Sequence, residues 1–158
     1  MKLTIVTMAV CLVGSAALAG GVVPADVKFE ESGAVTTSLS GMAGDAASGA
    51  EIMAAKSRGN CIACHEITAL ADTPFHGEIG PLLDGVGDRW NEEQLRGLVA
   101  DAKMTFDSSL MPSFYKVSGF VRPGDGYTGK AAEGELAPLL SAQDIEDVVA
   151  FLMTLKDE

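Results

Sequence analysis

The stretch Cys61-Ile62-Ala63-Cys64-His65 constrains this chain more than any other: two thiols three positions apart, with an imidazole directly after the second. A disulfide between them would close almost no loop and so would stabilise little. A closed zinc site needs two more ligands at a second knuckle. The only other histidine is His76, and the only other cysteine, Cys11, lies in the N-terminal apolar segment. A thioredoxin-like redox pair needs a βαβ setting, and no convincing strand is visible. A nucleophilic cysteine with its base as the next residue rarely has catalytic geometry. C-x-x-C-H is, however, the spacing of c-type haem attachment. Two thiols on one helical turn can each form a thioether with one haem vinyl group, and the next residue then carries its imidazole to the iron. The motif predicts one haem c, bound covalently through Cys61 and Cys64, with His65 as the proximal iron ligand.

Residues 1–19, MKLTIVTMAVCLVGSAALA, have the plan of a secretory signal peptide. Lys2 supplies the positive end, Leu3 to Val13 the apolar core, and Ala17-Leu18-Ala19 a small-x-small cleavage site. As a membrane anchor the apolar core is short of the roughly 20 residues a bilayer needs. Export to the periplasm with cleavage after Ala19 is expected, and Cys11 would leave with the removed segment. The remainder suits one domain with one core. The 22 acidic residues against 11 basic ones, a net charge of −11, make nucleic acid and anionic membranes poor partners. They suit a protein with a basic contact face, or simply solubility.

Along the chain, residues 20–44 read as an extended N-terminal arm and 45–158 as the haem-binding domain. Asp45 is a good N-cap for a first helix over AASGAEIMAAK, with Ile52 and Met53 inward. Gly49 within it costs stability and predicts close approach of another helix. Residues 67–90 are rich in Gly and Pro and read as loop. Asn91 and Gln94 form the pattern of a capping box; Leu95, Leu98, Val99 and Ala102 then fall on one face. Residues 104–140 read as irregular. A last helix opens at Ser141, with Asp144 in the third position and Ile145, Val148, Val149, Leu152 and Leu155 as its buried stripe. Three helices give a thin core for long loops that need an organiser; a flat apolar ligand at the centre would serve. The expected class is all-α, three main helices with long loops around one covalently attached haem.

The second axial position decides between electron transfer and ligand binding. Met111, before Pro112 in a loop able to cross the far face of the ring, is the favoured ligand, with Met104 as the alternative. Met53 and Met153 read as core, and His76 as an exposed loop histidine. The Pro81 carbonyl is placed to accept the outer N–H of His65. Arg89 and Trp90 are candidates for the haem propionates, against a surface salt bridge for Arg89 and core packing for Trp90.

The order of helix, CIACH, GPLLDGVGDR, helix, Met-Pro loop and final helix resembles class I cytochromes c over roughly residues 45–157. GNCIACHE, GPLLDGVGDRW, MPSFYKVSGFVRP and DIEDVVAFLMTL together are similar to the SoxX family, the mono-haem subunits of SoxXA (SoxAX) cytochromes of bacterial thiosulfate oxidation. The resemblance implies a class I cytochrome c fold, ligation by His65 and Met111, and a heterodimer with a SoxA-type haem subunit. In that family thiosulfate is coupled oxidatively to a cysteine of the carrier SoxYZ, an L-cysteine S-thiosulfotransferase activity of the whole complex. The SoxX-type subunit accepts the electrons and passes them to a small electron carrier, with no catalysis of its own. The rival readings are a free-standing electron shuttle, a five-coordinate haem enzyme or gas sensor, and a disulfide-bearing interaction domain.

Overall fold

A computed structural model describes residues 21–125 and 128–157; the expected export segment at 1–19 lies outside them. Four α-helices are found among the described residues: α1 (Ala46–Ala54), α2 (Val86–Arg89), α3 (Glu92–Asp101) and α4 (Ala142–Leu152). The only β pairing among these residues is an isolated bridge between Gly124 and Ala131.

The three long helices start where side chains satisfy their first free N–H groups. Asp45 accepts from Ser48 N at 2.7 Å, and hydrogen bonds from Ser48 hold its carboxyl below the usual range. Asn91 and Gln94 close a reciprocal capping box on α3, and Ser141 and Asp144 close another on α4. The single turn α2, inside the stretch expected to be loop, differs from the sequence expectation. It has no side-chain cap, and its N-cap Gly85 stands at φ 69°. Four residues are too few for an apolar period to show. Leu155 also differs: α4 ends at Leu152, yet Leu155 is buried beyond the helix, where its carbonyl accepts from Gly87 N at 2.9 Å.

Helix α1 crosses α4 closely. A Cβ on Gly49 would collide with the Asp147 carbonyl, and one on Gly44 with that of Glu146. The expected close helix approach at Gly49 is thus present, and it offsets the cost of glycine in a helix. Ile52, Met53, Leu95, Val99, Ile145, Val148 and Val149 form one core with Val35 and Leu39 of the N-terminal segment. That segment is tied down by Val22 N to Leu39 O at 2.7 Å and by Val35 N to Glu93 O at 2.9 Å.

Beneath this junction lies an ion pair that the sequence does not announce. Arg96 and Glu146 are 3% and 4% exposed. Arg96 Nε donates to both Glu146 carboxylate oxygens at 3.0 and 3.1 Å, and its Nη1 to Val35 O at 3.0 Å. Glu146 also accepts from Leu39 N at 2.6 Å. Burial works against the guanidinium charge, but the hydrogen bonds and charges of Glu146 and Glu92 outweigh it and raise the Arg96 pKa. One charged network thereby joins α3, α4 and the N-terminal segment.

Candidate haem-binding site

The C-x-x-C-H stretch folds as a tight turn on the end of α1. Asn60 N donates to Ala55 O at 3.1 Å and Gly59 N to Ile52 O at 3.2 Å. Asn60 turns the chain with a left-handed φ of 50°, a conformation Asn tolerates better than most residues. Cys61–Ala63 then form a 3-10 turn, with Cys64 N at 3.1 Å and His65 N at 3.0 Å from Cys61 O. Ile62 points into the core. No disulfide joins the two cysteines.

The following loop returns along this turn in a fixed register. Gly77 N donates to Ile62 O at 2.8 Å, Gly80 N to Cys64 O at 2.7 Å and Leu83 N to Glu66 O at 3.1 Å. Glycine is required at two of these places. A Cβ on Gly77 would strike the Ala63 carbonyl, and one on Gly80 the His65 ring. The register sets Pro81 O 2.7 Å from His65 Nδ1. A carbonyl only accepts, so Nδ1 carries the proton and Nε2 holds the free lone pair. Arg89 braces the same loop, donating to Asp84 O at 2.7 Å and Leu82 O at 3.0 Å. Its guanidinium holds backbone carbonyls and, among the described residues, makes no salt bridge. Asp84 in turn accepts from Thr68 N at 2.9 Å.

His76 is not the exposed histidine expected from sequence. Its Nδ1 accepts from Ile67 N at 3.2 Å, so Nε2 bears the proton and donates to Leu70 O at 3.1 Å. Both nitrogens are committed to the backbone, and the residue works as a loop clip. Trp90 is half-buried, edge-on to Phe106 with ring centroids 6.2 Å apart. Met111 is partly buried against the core, whereas Met104 is half exposed. Met53 is fully buried and Met153 packs on the core, as expected. The features that sequence reasoning missed are the His76 clip and the Arg89 brace; both serve backbone groups, which leave no mark in side-chain patterns.

A cytochrome c family model matches residues 46–156. The chain belongs to the cytochrome c family. Among solved structures it is similar to a chain of the crystal structure of SoxXA from P. pantotrophus. The two are 58% identical with a TM-score of 0.83, over 87% of this chain and 100% of that one. No curated protein matches it. The all-helical class I cytochrome c fold therefore holds, and with it one haem c attached through Cys61 and Cys64.

The residues present fit that group. Burial pushes the Cys61 thiol up to about 12, its own backbone hydrogen bond opposing and the neighbouring Cys64 adding to the rise. Such a sulfur is a neutral thiol at ordinary pH, ill suited to disulfide exchange or thiolate metal binding. As a thioether it stays neutral, which its buried place favours. Gly80 leaves room beside the His65 ring that any side chain would fill. The surrounding loops show large apolar side chains to solvent, Phe75 at 81% and Leu110 at 87% exposed. Among the described residues no helix is long and apolar enough to cross a membrane.

Proposed function

We propose that this cytochrome c relays single electrons as the SoxX-type subunit of a SoxXA complex. It would be exported to the periplasm by cleavage after Ala19. Its partner would be a SoxA-type haem subunit, with SoxYZ as the sulfur carrier and a small electron carrier downstream. The observation that carries this reading is the likeness to a chain of SoxXA over that chain's whole length. In this reading His65 is the proximal ligand and Met111 the distal one.

The haem supplies one-electron storage when bound. The polypeptide's part is to hold and tune it. Pro81 O fixes the His65 tautomer and ring plane, leaving Nε2 with its lone pair for iron, and strengthens the imidazole as a donor. Met111, as the second residue to hold the iron, would raise the reduction potential through its thioether and would close the site to small ligands. Arg89 has N–H groups beyond the two bound to carbonyls, and Trp90 has its indole N–H; both are assigned to the propionates. Held by both residues, the haem would leave no open position for substrate, so the chain would perform no bond chemistry alone and sulfur chemistry would belong to the partner.

The test is coexpression with the SoxA-type gene product. A stable heterodimer showing the near-infrared methionine–iron band is expected. A lone monomer would favour the free shuttle. Rapid spectral change on adding carbon monoxide to the reduced protein would favour an open-site haem protein instead.

A further inference from the structure

Met111 sits in a segment with no helix or strand to hold it, and yet the segment is pinned. Lys103 Nζ donates to Met111 O at 2.6 Å. Ser113 Oγ donates to Asp101 Oδ1 at 2.7 Å. Tyr115 N donates to Ala100 O at 3.0 Å. The Met111 carbonyl, the Ser113 hydroxyl and the Tyr115 amide thus all meet the end of α3 and the turn after it. Phe114 between them is buried in the core, and its carbonyl accepts from Leu140 N at 3.1 Å. Pro112 keeps the segment out of a helix.

Asp101 is the centre of this arrangement. It is 7% exposed. Besides Ser113, its Oδ1 accepts from Lys103 N at 3.2 Å, and its Oδ2 lies 3.5 Å from Lys116 Nζ. A carboxylate so far removed from water must keep its partners. Lys103, one turn away, makes a charge-assisted hydrogen bond to the carbonyl of the methionine itself.

We propose that Asp101 and Lys103 are positioning residues for the distal ligand: through Ser113 and the Met111 carbonyl they clamp the strap and keep the Met111 thioether at its station. This rests on the reading of Met111 as that ligand. The clamp acts on the strap's freedom to swing out, so it governs how easily a foreign ligand takes the thioether's place. The apparent affinity of such a ligand scales with the fraction of time the strap is open.

The test uses the ferric holoprotein and imidazole as probe. Ser113→Ala and Lys103→Met should each raise the apparent imidazole affinity about tenfold, the effect of one lost hydrogen bond to a buried or charged group. Both should keep the near-infrared methionine–iron band without imidazole and speed hydrogen exchange at the Tyr115 amide. Asp101→Asn should act in the same direction; should it not fold, the other two decide. Asp45→Ala, which opens the cap of α1, should lower the thermal midpoint and leave imidazole affinity unchanged. Met111→Ala should lose the band outright. If Ser113→Ala and Lys103→Met bind imidazole as the wild type does, the clamp is wrong while ligation by Met111 stands. If Met111→Ala keeps the band, the ligand assignment itself fails and the clamp with it.

Discussion

The two sides of the haem site are built differently. On the histidine side, residues 59–84 fold back on the C-x-x-C-H turn through backbone hydrogen bonds, three of which set the register from Gly77 to Leu83. His65 and Pro81, 16 residues apart, meet through that register. On the methionine side a single strap is held largely by side chains of α3 and the turn after it. A backbone ladder that demands glycine at two places tolerates little change there. A side-chain clamp can be loosened one hydrogen bond at a time. The attachment side is therefore the rigid one, and with Met111 as the proposed distal ligand the strap is where ligation would be tuned.

The largest test of this contrast removes the attachment itself. Cys61→Ser with Cys64→Ser should give a product whose mass is that of the polypeptide alone, read by mass spectrometry. Next comes the foundation shared by both sides. Arg96→Leu leaves Glu146 buried without its cation and should cost about 4 kcal/mol in denaturant unfolding. Because α3 carries the clamp, the strap's amides should lose exchange protection before those of residues 62–67. Gly80→Ala should cost about 2 kcal/mol by overpacking and disturb the His65 resonances, leaving the methionine–iron band in place. A band lost before the histidine signals move would reverse the assignment of the rigid side. Asn91→Ala, which opens one capping box, should cost about 1 kcal/mol without altering either side.

The smallest effect concerns pH. Hydrogen bonds from the Thr68 side chain and backbone hold the Asp84 carboxyl below its usual range; slight burial opposes them and the Arg89 charge assists. A depressed folded-state pKa stabilises above the unfolded carboxylate value, and that share is lost as pH falls through the folded value. Protection of the Thr68 amide, relative to its intrinsic exchange rate, should accordingly fall below about pH 4, and Asp84→Asn should flatten that dependence. A wild-type profile that stays flat through this range would remove Asp84 from the loop's support.

Local chemistry explains what was legible beforehand. The capping side chains of the three long helices, their apolar faces and the haem-attachment motif each lie within a few residues, so short-range rules reach them. The turn α2 escaped because four residues carry no period and its glycine cap resembles loop. Arg96 escaped because an arginine four residues after Glu92 reads as a solvated helix face; its burial depends on Glu146, 50 residues away. His76 was misjudged because its two partners are backbone groups.

Cofactor type, covalent attachment and helix starts were settled by neighbouring residues, since thiol spacing and capping are contests won within a single turn. The orientation of His65, the burial of the Arg96–Glu146 pair and the clamping of the methionine strap were settled by assembly. Each needs a carbonyl, a carboxylate or an ammonium brought in across a loop or from another element, and helical periodicity does not encode that meeting. Desolvation makes those meetings binding: a polar group that has lost water holds the partner that packing brings it.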